Sequence, residues 1–311
     1  MKLSRSVIIK IILIILGVGL LIFIVKNYQP QQAQIISQQQ EKIATQLALN
    51  TGVPQQQDLQ TWQVFYNLEY TGLENFQVST LVANTFNQVA LLDATTQQLL
   101  LIDLASKSFE LLSLPNFGLA TTALAWDGDT LLAYSDALYA YQQKTKTWQP
   151  LTSPLVLPTR VTLLQKFDQN YYLFGANTIQ KLNLATNDGQ KNSNWLNEGE
   201  SVGQNLIDVW IDGTIFVSDQ NLGLRQYLRG REVATKIAAN LVPPLYLAKK
   251  SDDFFVLSST QGEITRFNEN GEALQTWSEP LLQGSRWLWF NAEQTNLFVL
   301  KDNLLYNLGI D

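Results

Sequence analysis

Six apolar runs rich in β-forming residues recur along the chain at intervals of 39 to 44 residues. They begin at Val89, Leu131, Tyr171, Ile215, Phe254 and Leu297. Each run follows one strand-like segment and precedes one or two more, so each repeat contains about four short strands. A unit of this kind cannot bury its apolar faces alone, and the period therefore predicts an array of packed four-stranded sheets.

The sixth repeat supplies only three predicted strands, at Arg286–Phe290, Asn296–Lys301 and Asn303–Leu308. The segment Gln60–Phe65 reads Q-T-W-Q-V-F and matches K-T-W-Q-P-L in the fourth strand of the second repeat. We predict that this N-terminal segment provides the missing outer strand of the last sheet. Such pairing closes the array into a ring and removes an open sheet edge.

These repeats resemble the β-propeller superfold, in the style of the PQQ-like and seven-stranded-lactonase-like propellers. The resemblance covers residues 58–311 and implies an all-β, six-bladed β-propeller. It is specific for architecture and implies no single activity. Hallmarks of particular propeller families are absent, including the kelch Gly-Gly pair and the Trp-docking consensus of quinoprotein dehydrogenases. We therefore predict no cofactor.

The chain contains no histidine and no cysteine. Lack of cysteine excludes disulfides, thiolate nucleophiles and thiolate metal sites. Lack of histidine removes the commonest general base near neutral pH and the commonest metal ligand. The sequence thus predicts no metal site and names no catalytic residue.

An apolar segment, Val7–Val25, is interrupted only by Lys10 and two glycines. About 20 such residues span the hydrocarbon core of a bilayer as a helix. Cations concentrate on its N-terminal side, which places the N-terminus in the cytoplasm and the rest outside. A cleaved signal peptide is the alternative, but no small-x-small cleavage site follows. We expect an uncleaved anchor within residues 1–28, in contact with the lipid bilayer through residues 7–25.

Residues 29–57 are dominated by glutamine and are predicted to link the anchor to the propeller. Polar low-complexity tracts bury too little surface to fold alone. The spacing of Ile36, Ile43 and Leu47 is also compatible with a helix over Ala33–Leu49, which leaves a coiled-coil stalk as the alternative to a solvated spacer.

Polar residues recur at the turn after the second strand of each repeat. The acidic members of this set are Asp93, Asp136, Asp219 and Asp302. One interpretation is a carboxylate ring at the mouth of a central channel, available to a partner. The other is structural, because Asp side chains accept hydrogen bonds from nearby backbone N–H groups in tight turns. Connectivity places all four on the face opposite the entry of the N-terminal strand, and we predict that this face binds a partner.

Two functions remain open. The favoured one is a non-enzymatic scaffold at the cell envelope that binds a protein or an envelope component. The alternative is a carbohydrate-active hydrolase with paired carboxylates, for which Asp208, Asp93 and Asp136 are candidates. Beyond the first 26 residues the chain carries an excess of acidic over basic residues, so no nucleic-acid partner is predicted.

Overall fold

A computed structural model describes residues 62–71, 76–114, 120–155, 157, 160–184, 193–235, 237 and 240–310. The predicted anchor at Val7–Val25 and the glutamine-rich linker lie outside these residues. Within them, no helix has both the length and the hydropathy needed to cross a bilayer.

The described residues form six antiparallel four-stranded sheets, which confirms the predicted six-bladed propeller. Short runs of apolar, β-forming residues, bounded by turns that often contain Asp or Gly, form these strands. Among the described residues there are two short 3-10 helices, at Leu68–Thr71 and Pro280–Leu282.

Blade 1 contains β2 (Thr80–Ala83), β3 (Gln88–Asp93), β4 (Gln98–Asp103) and β5 (Ser108–Leu112). Blade 2 contains β6 (Ala123–Asp127), β7 (Thr130–Tyr134), β8 (Leu138–Gln142) and β9 (Thr147–Pro150). Blade 3 contains β10 (Val161–Phe167), β11 (Asn170–Gly175), β12 (Thr178–Asn183) and β13 (Ser193–Asn194).

The second half of the ring repeats this order. Blade 4 contains β14 (Leu206–Ile211), β15 (Ile215–Asp219), β16 (Gly223–Leu228) and β17 (Arg231–Val233). Blade 5 contains β18 (Leu245–Lys250), β19 (Asp253–Ser258), β20 (Glu263–Phe267) and β21 (Ala273–Ser278). Blade 6 contains β22 (Arg286–Phe290), β23 (Asn296–Lys301), β24 (Leu304–Gly309) and the N-terminal strand β1 (Gln63–Asn67).

The N-terminal strand closes the ring, as the sequence predicts. Strand β1 pairs antiparallel with β24, from Gln63 opposite Asn307 to Asn67 opposite Leu304. Trp62, just before the strand, is only 6% exposed. The ring of Phe65 packs edge-to-face on Phe298, with centroids 5.1 Å apart. This arrangement covers the edge of β24 that would otherwise be open.

The hydrophobic core consists of six apolar clusters, one between each pair of neighbouring blades. The cluster that closes the ring joins Leu91 and Leu100 of blade 1 to Phe298 and Leu300 of blade 6. Because each blade is buried on both faces, its middle strands are almost continuously apolar rather than alternating.

The antiparallel order gives the propeller two distinct faces. One, here called the junction face, carries the links between blades and the turns after each second strand, such as 94–97 and 220–222. The other, the hairpin face, carries the turns after each first strand, such as 128–129 and 212–214. Strand β1 begins at the hairpin face because it runs antiparallel to β24.

Candidate functional site: the central channel

The first strands of the blades surround a central channel. Residues of all six first strands line one cavity of about 540 Å³, a volume within the range of small-molecule sites. The channel runs from the junction face, where these strands begin, towards the hairpin face, where they end. It is the natural site for a ligand in this fold because a rigid ring of strands holds its walls.

Asp208 is the single Asp or Glu among the described residues that line this cavity. It follows a β-bulge between Leu206 and Asp208 in β14. One carboxylate oxygen accepts the backbone N–H of Val209 at 2.8 Å, and the other accepts that of Leu247 in blade 5 at 2.7 Å. The carboxylate thereby ties the first strands of two neighbouring blades together.

Burial raises the pKa of Asp208 to about 7, although the two backbone N–H groups partly oppose that rise. The side chain lies deep in protein yet keeps a partly accessible surface towards the channel. Tyr246 lies nearby, and burial raises the pKa of its hydroxyl to about 12, with Arg286 lowering it and Asp208 raising it further. A carboxyl group with a pKa of about 7 exchanges protons near neutral pH, so Asp208 is a group of the channel wall that titrates in this range.

Four tryptophans on or beside the first strands line the channel: Trp126, Trp210, Trp287 and Trp289. They also pack against the apolar clusters between blades, so they fill space as well as form the wall. Trp126, Trp210 and Trp289 additionally line a second cavity of about 310 Å³ at the hairpin face.

Several polar atoms in the channel wall have no hydrogen-bond partner among the described residues. These buried atoms are Thr122 Oγ1, Gln165 Oε1, Trp210 Nε1 and Trp289 Nε1. A buried unpaired donor or acceptor costs on the order of 1–3 kcal/mol.

Asp93 and Asp219 are each only 1% exposed and cap their own blades. Asp219 Oδ1 accepts the N–H groups of Asn221 and Leu222 at 2.8 and 3.1 Å, while Oδ2 accepts that of Asn205 at 2.8 Å. Gly203 makes room for this carboxylate, since a Cβ there would lie 2.5 Å from Asp219 Oδ2. Asp93 makes the equivalent bonds to Thr95, Thr96 and Gln77.

The other two predicted partner residues are more accessible. Asp136 is partly buried and accepts hydroxyl bonds from Ser135 at 2.9 Å and Tyr139 at 3.0 Å. Burial raises its pKa, but these hydroxyl bonds outweigh burial and hold the pKa below its usual value. Asp302 is exposed at the turn between β23 and β24. The four acids do not converge on one point, and the described residues contain no group of three acidic side chains suited to a metal ion. Their role in partner binding stays a prediction.

Sequence reasoning did not select Arg160, Tyr246 or Arg286, yet all three line the channel. Arg160 directly precedes β10 and Arg286 begins β22, so both lie at the junction-face mouth. Arg160 and Arg286 could have been found from the sequence, because each is a basic residue at the start of the first, largely apolar strand of a repeat.

No protein-family model matches the sequence, and no curated protein matches it. Solved structures do match the fold. A calcium-binding regucalcin from Agrobacterium tumefaciens is 14% identical with a TM-score of 0.57, covering 76% of this chain and 90% of that one. A gluconolactonase from Xanthomonas campestris is 11% identical with a TM-score of 0.58, covering 80% and 89%.

A virginiamycin B lyase from Staphylococcus aureus is 10% identical, with a TM-score of 0.54 and coverage of 77% of this chain and 82% of that one. At these identities the likeness concerns the fold alone, since one propeller scaffold serves many unrelated functions. The chain is therefore a six-bladed β-propeller that is similar in fold to these proteins.

Proposed function

We propose that this chain is a membrane-anchored propeller, displayed outside the cytoplasmic membrane, that binds a protein or an envelope component without catalysing a reaction. The anchor rests on the apolar segment Val7–Val25 and on the cations at its N-terminal side. The binding role rests on the channel and on the face where the channel opens beside the blade junctions.

The observation that carries the binding role is the chemistry of the channel wall. Glycoside hydrolysis by paired carboxylates needs two acids roughly 5–10 Å apart. The described wall offers Asp208 as its single carboxylate, and both of its oxygens already accept backbone N–H groups. The remaining polar groups of the wall are hydrogen-bonding and cationic ones, which suit recognition better than acid–base cleavage of a glycoside.

The junction face is the better placed of the two faces for a partner. The described chain enters the propeller at the hairpin face, so the junction face is the one that the N-terminal strand does not enter. Loops held on a rigid scaffold are the usual location of binding residues. Asp136 and Asp302 are the predicted partner residues whose carboxylates are not fully enclosed on this face.

The proposed membrane orientation predicts that protease added to intact protoplasts digests the propeller or its linker. A fragment small enough to contain only the first residues and the anchor is expected to remain with the membrane. The measurement is an immunoblot against tags at both ends, before and after lysis. Full protection of the C-terminal tag until lysis contradicts the orientation.

Charge reversal on the junction face is expected to abolish partner capture. The variant Asp136→Lys/Asp302→Lys should capture at least about tenfold less partner from envelope extracts, a loss of about 1.4 kcal/mol or more. The matched control is Asp129→Lys/Asp252→Lys, two exposed acids at hairpin-face turns. Thermal melts check that both variants fold. If the control variant loses capture and the first does not, the assignment of the face is wrong.

A further inference from the structure

The junction-face mouth of the channel carries two arginines that have no counterion among the described residues. Arg160 stands at the start of blade 3 and Arg286 at the start of blade 6, on opposite sides of a ring of six. Neither guanidinium forms an ion pair or a hydrogen bond within the part of the chain that the structure describes. Both side chains are exposed.

Other cations beside the channel have anionic partners. Lys166 pairs with Asp127 at 2.7 Å, and Lys249 pairs with Asp212 at 2.5 Å. The propeller carries more acidic than basic residues, so a cation on its surface has many acids with which it could pair. The two mouth arginines thus form a positively charged site on an acidic domain, and their charge is available to an anion.

The local backbone fixes one of these arginines in place. Trp287 is the extra residue of a β-bulge in β22 and has a φ of 54°, the one aromatic residue with positive φ among those described. A positive φ at a bulky residue is a strained conformation, and bulges re-aim side chains next to functional sites. The guanidinium carbon of Arg286 lies 4.5 Å from the centre of the Trp287 ring. Stacking on an aromatic face orients the guanidinium at low entropic cost.

Asp208, the carboxylate of the channel wall, does not form an ion pair with Arg160 or Arg286. The two oxygens of Asp208 accept the N–H groups of Val209 and Leu247. The mouth therefore presents two guanidiniums that form no ion pair among the described residues.

We infer that Arg160 and Arg286 bind an oxyanion, either a carboxylate or a phosphate, carried by the molecule that docks at the junction-face mouth. This inference deepens the proposed binding function and rests on it for the identity of the face. Guanidinium groups present planar forks of N–H donors that match the two oxygens of a carboxylate or phosphate. Because the two arginines line one cavity from the starts of opposite blades, we place the ligand near the channel axis, between them.

The test uses the full-length chain in an uncharged detergent and titrates it with sodium phosphate, sodium succinate or sodium chloride by isothermal calorimetry. We expect saturable binding of phosphate, succinate or both, weakened by added salt, and none of chloride at matched ionic strength. Arg160→Gln and Arg286→Gln should each weaken binding at least about tenfold, because each removes a charge-assisted donor fork. Arg286→Lys should fall in between, since it keeps the charge but loses the fork.

The matched control is Arg231→Gln, which removes an exposed arginine from the outer strand β17. It should bind as the unaltered chain does, and thermal melts should show all variants folded. Binding of phosphate alone identifies a phosphate ligand, and binding of succinate alone identifies a carboxylate. Binding of neither, equal loss in the Arg231 variant, or full binding in Arg286→Gln overturns the inference. These outcomes leave the proposed function intact where partner capture still depends on Asp136 and Asp302.

Discussion

A chain that begins at Phe76 is expected to lose about 5 kcal/mol or more of unfolding free energy relative to one that begins at Trp62. The truncation removes β1 and with it the outer strand of blade 6. It exposes the backbone edge of β24 and deletes the buried Trp62 side chain. Loss of a buried Trp alone costs roughly 3–5 kcal/mol in other cores. The measurement is urea unfolding followed by tryptophan fluorescence and circular dichroism.

The chain that begins at Trp62 is the matched control, because it retains β1 and lacks only the preceding residues. A single substitution, Phe65→Ala, should give an intermediate loss, since it removes one edge-to-face contact with Phe298 but leaves the strand. Exposure of the β24 edge should also promote self-association of the longer truncation. Equal urea midpoints for the two truncated chains would show that β1 does not hold the ring closed.

The closing strand was predictable because a local pattern recurs on the outer strands. Trp148 of β9 packs on Tyr141 with ring centroids 5.2 Å apart, and Trp277 of β21 stacks on Phe255 at 6.0 Å. In both places a tryptophan on the outer strand covers the blade's periphery. Trp62 is preceded by the same Gln-Thr pair as Trp277 and is buried at the same edge of blade 6. Sequence similarity between outer strands thus reflected one packing requirement met three times.

The wall of the channel was only partly predictable, because β-bulges set it. Bulges interrupt β10, β14 and β22 near their starts. A shift of one residue moves every following side chain to the other face of a strand, and a bulge makes that shift locally. The sequence indicated Asp208 as a candidate because it is a carboxylate on an inner strand, but gave no basis for the orientation of Arg286 and Trp287.

The roles of the recurring aspartates at the turns after the second strands were also only partly predictable from the sequence. Their repetition pointed to turn capping, and the hydrogen bonds of Asp93 and Asp219 have that form. Their second oxygens reach back to Gln77 and Asn205, which lie 16 and 14 residues earlier. Such contacts exist only once the blade has folded. Sequence alone consequently could not separate the two enclosed acids from the more accessible Asp136 and Asp302.

The unfolding free energy is expected to fall, relative to that of an Asp208→Asn variant, as the pH rises from about 4 to about 8. Burial raises the pKa of Asp208 to about 7 in the folded chain, whereas an unfolded Asp titrates near 4. Between these values the folded state keeps a proton that the unfolded state has released, so stability decreases with pH in this window. The full shift corresponds to about 4 kcal/mol, and partial access to the channel reduces it to roughly 2–4 kcal/mol.

The difference between the two proteins isolates this carboxylate, because acids with lowered pKa values, such as Asp93 and Asp136, act equally in both. Asparagine places an amide donor opposite one backbone N–H, which adds a pH-independent penalty to the variant. Urea unfolding at pH 4.5, 6 and 8 gives the difference, and the ¹³C resonance of the Asp208 carboxyl gives the titration directly in the folded protein. If the difference in unfolding free energy between the two proteins is the same at all three pH values, and the Asp208 carboxyl titrates with a midpoint near pH 4, then the channel keeps Asp208 solvated. A midpoint near 7 would mean that burial makes ionisation of Asp208 costly, even though the two backbone N–H groups that tie blades 4 and 5 through this side chain favour its charged form.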